Sequence, residues 1–186
     1  MKGRLWFKTR GLLMLPPVGV MLVCTWGETE WDALLWPVGT CVFAAGLFLR
    51  LWAQLHLRYR LNVKTRLTTT GPYQYVRNPI YIANTLLLVA LCVLSELLWL
   101  CPLVAAYCAM VYGLVARYEE RRLSAKYGRA YLAYQRSVPR WIPGRGPSHS
   151  TPSVGVWRSI RPAALCEAHN LLLLLLPLAK EGMFGT

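Results

Sequence analysis

The sequence predicts an all-α, integral-membrane helical bundle with four transmembrane helices, a further short hydrophobic helix and a cytoplasmic amphipathic helix. Three observations support this prediction. The 186-residue chain is 55% hydrophobic and only 16% charged. Uncharged apolar runs recur along it, and several approach the roughly 20 residues that a helix needs to cross a bilayer. The basic residues cluster between these runs and not within them.

The four spans are predicted at 11–27, 33–56, 79–95 and 98–117. The first follows a basic N-terminus without a small-x-small cleavage site, so we expect a mature helix and not a removed signal peptide. The uncharged stretch that starts at Pro79 is too long for one crossing. It is interrupted near Ser95-Glu96, so a helical hairpin is expected there.

Charge placement predicts the orientation of these spans. Acidic residues fill the 1–2 connection, whereas Lys and Arg fill the N-terminus, the 2–3 connection and the segment after span 4. By the positive-inside rule these three basic segments face the cytoplasm. The net charge of +13 is therefore a topology signal that also favours contact with anionic membrane lipids. Nucleic-acid binding is not expected, because the charge flanks apolar spans.

Metal chemistry is not expected either. The six cysteines are scattered through apolar segments without a Cys-x-x-Cys pair, and the histidines are His56, His149 and His169. None of these residues has metal-ligand spacing with another.

The 2–3 connection contains the first polar cluster. Thr68-Thr69-Thr70 followed by Gly71-Pro72 predicts extended chain and then a turn. Asn78 is predicted to cap span 3, with Pro79 in its first turn. The amide end of that helix would face the cytoplasm, where it can hold an anionic group.

The second polar cluster follows span 4. Apolar and aromatic residues recur at helical spacing over Glu119 to Gln135, which predicts the amphipathic helix. Glu119 falls on its apolar stripe and is expected to face the packed side. Glu120 is expected to pair with Arg117 or Ser124.

The chain is divided into a membrane domain over 1–143, a Gly-, Pro- and Ser-rich linker over 144–162, and a C-terminal hydrophobic helix and tail over 163–186. The helix at 163–179 contains six consecutive leucines. It is short for a span, so a fifth crossing and a helix lying in the interface remain open alternatives.

The two clusters, separated by a helical hairpin, resemble the isoprenylcysteine carboxyl methyltransferase and phospholipid methyltransferase superfamily of integral-membrane enzymes. The resemblance covers roughly 61–143 and has Arg-Asn-Pro, as in many bacterial relatives, where eukaryotic prenylcysteine enzymes usually have Arg-His-Pro. The matching positions are Gly71, Tyr73, Arg77, Asn78, Pro79, Tyr81, Glu119, Glu120, Tyr127, Gly128, Tyr131, Tyr134, Val138, Pro139 and Pro143.

This resemblance implies the cofactor and the residues that bind it. The cofactor would be S-adenosyl-L-methionine. It would be contacted by residues of the 2–3 connection, the start of span 3 and the second cluster, namely Thr65, Arg66, Leu67, Thr68, Tyr73, Asn78, Pro79, Ile80, Tyr81 and Glu119. Arg77 and Glu120 would be the catalytic residues, with Glu120 as general base for an amine acceptor.

The implied reaction is transfer of a methyl group to a membrane-embedded lipid, a lipidated molecule or another hydrophobic acceptor, by direct displacement. A membrane reductase that uses NADPH is the alternative enzyme, and a small transporter or scaffold is the non-enzymatic alternative. The sequence does not indicate the methylated atom or the oligomeric state.

Overall fold

The computed structural model describes residues 15–27, 31–61, 67–144 and 170–184. These residues form helices, turns and irregular segments, with no strand among them, so the predicted all-α class is confirmed for the described chain. Two short 3₁₀ turns occur, at Gly71–Gln74 and Leu172–Leu174. The α-helices are α1 (Leu15–Val23), α2 (Asp32–Leu61), α3 (Pro79–Leu94), α4 (Leu100–Tyr127), α5 (Arg129–Ser137) and α6 (Leu175–Phe184).

Two of these helices are long and apolar enough to cross a membrane. They are the 26-residue stretch Asp32–Leu57 of α2 and Leu100–Tyr127 of α4, each of which contains an 18-residue stretch of high mean hydropathy, 1.7 and 1.6 respectively. Helix α3 has 16 residues, or about 24 Å, less than the roughly 30 Å hydrocarbon core. The described part of α1 is shorter still. Crossing by the predicted spans at 11–27 and 79–95 therefore stays a prediction.

Helices α2 and α3 pack closely in antiparallel directions. A Cβ atom on Gly39 would lie 2.7 Å from Leu94 Cγ, and one on Gly46 would lie 3.2 Å from Leu86 Cβ. Only a residue without a side chain permits this approach. One turn further along α2, Arg50 donates to the side-chain oxygen of Asn84.

The predicted hairpin is present between α3 and α4. Helix α3 ends at Leu94 and α4 begins at Leu100, so the break falls at the expected Ser95-Glu96 position. Away from the turn, the rings of Tyr81 and Tyr112 stack, with their centroids 4.7 Å apart and their planes 18° apart. Both rings belong to the main hydrophobic core.

The separate amphipathic helix predicted over 119–135 is wrong in its bounds. Helix α4 continues without interruption to Tyr127, because no residue near 118 breaks a helix. It ends at Gly128, whose φ of 52° and ψ of −126° belong to a region that only glycine adopts readily. Helix α5 then begins, and its Tyr131 and Tyr134 pack with Val138, Leu67 and Leu123.

The C-terminal residues 170–184 pack on the bundle. Helix α6 contacts α1 and α3. The buried Lys180 donates from Nζ to the backbone oxygen of Ser95 over 3.0 Å. Apart from Gly144, the predicted linker lies outside the described residues, as do 163–169. A fifth crossing and a helix lying in the interface therefore both stay open for this segment.

Candidate functional site

A cavity of about 950 Å³ lies among α2, α3, the C-terminal half of α4, and α5. Its walls include every predicted site residue that the structure describes; Thr65 and Arg66 lie outside the described part of the chain. Those in the walls are Leu67, Thr68, Tyr73, Arg77, Asn78, Pro79, Ile80, Tyr81, Glu119 and Glu120.

The connection between α2 and α3 is fixed by a histidine to which the sequence assigned no role. The buried His56 lies with Nδ1 3.0 Å from Thr70 Oγ1. Gly71 has φ of +62°, and a Cβ there would lie 2.4 Å from His56 Cδ2. Gly71 therefore supplies both the turn conformation and the room for the imidazole ring.

Three hydrogen bonds join the first polar cluster to the segment that follows α4. The Tyr134 hydroxyl donates to the backbone oxygen of Tyr73 over 2.7 Å. The Arg77 amide donates to the Pro139 oxygen over 2.9 Å, and the Gly144 amide donates to the Tyr75 oxygen over 3.0 Å. The two motifs, distant in sequence, thus form one site.

Glu120 is the electrostatic centre of this site, with only 6% of its surface exposed. Arg140 holds it with two hydrogen bonds, Nε to Oε1 at 2.9 Å and Nη2 to Oε2 at 2.6 Å. Arg77 Nη1 lies 3.1 Å from Oε1, and Gln135 Nε2 lies 3.4 Å from Oε2. Such paired, charge-assisted contacts compensate the burial of a carboxylate.

The predicted partners of Glu120 are wrong. Glu120, and not Glu119, is the more deeply buried of the two, while Glu119 is half-buried in the cavity wall. The partners of Glu120 are Arg77 and Arg140, not the predicted Arg117 or Ser124. The helical spacing identified nearby side chains on α4, but the actual partners come from the 2–3 connection and from the segment beyond Gly128.

The buried groups around Glu120 have shifted pKa values. Burial, assisted by the Glu120 carboxylate and opposed by Arg77, raises the pKa of Tyr131 to about 12. Burial also raises the pKa of Tyr134. The hydrogen bond to Glu120 raises the pKa of Arg140. Both phenols are therefore neutral at physiological pH, and the Arg140 guanidinium is charged.

Asn78 occupies the predicted N-cap position of α3, but its side chain does not cap the helix. Its backbone oxygen instead accepts from the amides of Tyr81 and Ile82, at 3.2 Å and 3.3 Å, so those amides are not open to an anion as expected. Its side-chain Nδ2 is buried without a hydrogen-bond partner among the described residues. A buried donor of this kind calls for an acceptor.

The cavity also contains residues that the sequence did not assign to a site. The polar additions are Arg50, Gln54, Asn84, Arg122, Lys126 and Asn170, and the apolar additions include Leu15, Val18, Leu87, Leu88 and Leu173. Arg50 carried a signal, since it is a charged residue within an apolar span. No sequence pattern indicated the C-terminal residues, because only tertiary folding brings them to α3.

A second cleft, of about 470 Å³, shares Glu120 with the main cavity. Its other walls come from the last turns of α4 and from the segment after Gly128. They are Arg117, Arg121, Ser124, Gln135 and Arg140. This basic cleft therefore contacts the same carboxylate as the predicted catalytic residue Arg77.

Two proteins that resemble this chain in sequence are named as metal-resistance proteins. The chain is 31% identical to the nickel-cobalt-cadmium resistance protein NccN of Alcaligenes xylosoxydans xylosoxydans over 129 residues, which are 67% of this chain and 59% of the relative. It is 30% identical to the cobalt-zinc-cadmium resistance protein CzcN of Cupriavidus metallidurans over 129 residues, 67% of this chain and 58% of the relative. The chain thus spans less than two thirds of the length of either.

No solved structure matches the chain. A family model described as phospholipid methyltransferase matches residues 35–130, which is more than half of the sequence. The matched range contains most of α2, the 2–3 connection with Arg77 and Asn78, the helical hairpin, and Glu119 and Glu120. The chain belongs to the phospholipid methyltransferase family.

Proposed function

We propose that this protein is an S-adenosylmethionine-dependent methyltransferase that acts on a hydrophobic acceptor dissolved in the membrane. One observation carries the proposal. The ten predicted site residues that are described come from three separate parts of the chain, and all of them line one cavity. Membership of a methyltransferase family supports the same reaction class.

The polar groups of the cavity suit the proposed cofactor. When bound, S-adenosylmethionine supplies a methyl group already activated on a sulfonium, and it also carries an ammonium, a carboxylate, ribose hydroxyls and adenine. Asn78 Nδ2, a buried donor, fits an acceptor oxygen such as a carboxylate oxygen. Glu119, which also lines the cavity, fits an ammonium or a hydroxyl. The ring of Tyr73 or Tyr81 suits a cation through its face.

The geometry favours a positioning role for Glu120 over the general-base role that the sequence predicted. Its two oxygens already accept from Arg140 and Gln135 and contact Arg77. Both oxygens are therefore already engaged by guanidinium or amide groups of the protein. We therefore assign Glu120 to holding Arg77 against the cavity, and Arg77 to contacting the bound molecules.

The wall formed by α3 changes character along its length, which suits an acceptor with a polar head and an apolar tail. Asn78, Tyr81 and Asn84 line the cavity first, followed by Leu87 and Leu88. The stretch from Asn78 to Leu88 covers about 15 Å along the helix. A lipid or lipidated acceptor would place its reactive head near Asn78 and its hydrocarbon portion beside the leucines.

Binding of radiolabelled S-adenosylmethionine to detergent-solubilised protein tests the proposal. Glu119→Gln should weaken binding by about tenfold or more, since a charge-assisted hydrogen bond contributes roughly 1.5–3 kcal/mol. Glu181→Gln is the matched control, because that carboxylate is exposed on α6. Equal binding by wild type and Glu119→Gln, or binding by neither, contradicts the proposal. Binding of labelled NADPH instead would favour the membrane-reductase alternative.

The names of the two relatives supply a physiological setting for the proposal. Both are named for resistance to divalent metal ions. We propose that methylation by this protein contributes to such resistance. A host strain that lacks the gene should lose cadmium tolerance and regain it with the wild-type gene but not with Glu119→Gln. Equal rescue by the two genes would separate metal tolerance from methyl transfer.

A further inference from the structure

We propose that the C-terminal segment 170–184 is the acceptor-selecting wall of the site. The inference rests on the proposed function and identifies the part of the chain that decides which hydrocarbon portion fits. The segment lies outside the residues that the family model matches. It nevertheless contributes Asn170 and Leu173 to the cavity that contains Asn78 and Glu119.

The segment meets the apolar end of the cavity. Leu173 packs against the main core cluster that includes Leu87 and Leu88, and all three leucines line the cavity. Val18 of α1 packs on the same cluster and lines the same cavity. These side chains come from three separate parts of the chain and surround space beside α3, so a hydrocarbon chain could bind between them.

Lys180 fixes the position of this wall. Its buried Nζ donates to the Ser95 oxygen, at the C-terminal end of α3. A cation there is favoured, because the last carbonyls of a helix carry partial negative charge. The same number of residues separates Leu173 from Lys180 as separates Leu88 from Ser95. The segment can therefore run beside α3 and hold Leu173 level with the apolar end of the cavity.

A photoactivatable fatty acid tests the inference without knowledge of the natural acceptor. The probe is palmitic acid with a diazirine near its methyl end, added to the full-length protein in detergent, and labelled residues are located by mass spectrometry. Wild-type protein should be labelled at residues 170–174 and in α1. Leu173→Trp should reduce this labelling by about tenfold, because the larger ring fills the space.

Leu172 provides the matched control, because its side chain is 63% exposed and it is not part of the cavity wall. Leu172→Trp should leave labelling of the cavity unchanged. Equal labelling in the two variants, or label confined to exposed faces such as that of Leu172, overturns the inference. Lys180→Met should spread the label over more residues, since the segment loses its attachment to α3.

Labelled S-adenosylmethionine binding, measured on the same samples, separates the two proposals and reports correct folding. Leu173→Trp and Leu173→Ala should bind S-adenosylmethionine as wild type does. With a lipid extract and labelled S-adenosylmethionine, Leu173→Ala should move the products toward longer hydrocarbon portions and Leu173→Trp toward shorter ones. Unaltered products together with normal cofactor binding refute the selecting wall alone, whereas loss of cofactor binding by wild type refutes the proposed function.

Discussion

At the scale of single residues, the site depends on a carboxylate that is surrounded by positive charge. Glu120 contacts both Arg77 and Arg140, and each guanidinium comes from a different segment of the chain. The four basic residues Arg50, Arg77, Arg122 and Lys126 outnumber the two acidic residues in the main cavity wall. For the proposed methyl transfer, this excess of positive charge predicts acceptors that carry an anionic group near the reacting atom.

Glu120→Gln should destabilise the protein by about 3 kcal/mol, because it leaves two partly buried guanidinium groups without their shared counter-charge. Thermal unfolding in detergent would measure the change. Glu119→Gln is the comparison, since it removes the neighbouring carboxylate without breaking the contacts with Arg77 and Arg140. Equal unfolding temperatures for the two variants would argue against a structural role for Glu120.

The sequence identified the residues of the site better than it identified their contacts. The motif positions from Leu67 to Tyr81 and Glu119-Glu120 were predicted, and the structure brings them together around one cavity. The contact with Arg140 was missed, because it crosses a helix break and joins residues 20 positions apart. Helical spacing predicts neighbours within a helix but carries no information about a return of the chain.

At the scale of elements, Gly128 determines how the second cluster is shaped. It ends α4 and begins α5 with a backbone conformation that L residues rarely adopt. The turn that results brings Tyr134 to the 2–3 connection and brings Gln135 and Arg140 to Glu120. The break at Gly128 therefore lets Gln135 and Arg140, which follow it in the chain, contact Glu120, which precedes it.

Gly128→Ala should destabilise the protein by about 1–3 kcal/mol through backbone strain alone, since no atom lies within 4 Å of the added Cβ. Gly113→Ala is the matched control. It also adds a methyl group to open space, but within the regular helix α4, where alanine should stabilise by about 0.5–1 kcal/mol. Thermal unfolding of the two variants should move in opposite directions; a shift in the same direction would contradict the strain argument.

Helix boundaries were predictable where a proline or an interruption of the apolar sequence marks them. Pro79 begins α3 as expected, and the α3–α4 break falls at Ser95-Glu96. The end of α4 was misplaced by ten residues, because hydropathy falls at 117 while helix-forming residues continue to 127. Hydropathy thus indicated where apolar sequence ends, and the glycine determined where the helix ends.

At the scale of the whole molecule, the order of α2, α3 and α4 places the site at one end of the bundle. The polar residues Asn78 and Glu119 lie at the start of α3 and toward the end of α4, whereas Ser95 and Glu96 lie at the opposite end of α3. The basic clusters flank the first of these ends, which predicts that it faces the cytoplasm.

Cysteine labelling in intact cells would test this orientation, in a background whose six native cysteines are replaced by serine. Glu96→Cys should react with a membrane-impermeant maleimide added outside. Arg129→Cys, which is exposed on α5, should react only after permeabilisation. Labelling of both positions from outside would contradict the positive-inside assignment.

The shared carboxylate has a consequence for engineering the enzyme. One side chain, Glu120, borders both the main cavity and the basic cleft, so the two spaces meet at this carboxylate. Arg117 and Arg121 border only the cleft. Substitutions at these two positions would therefore alter the electrostatic potential beside Glu120 without removing a side chain from the main cavity wall, which offers a way to tune the proposed activity from outside the cavity.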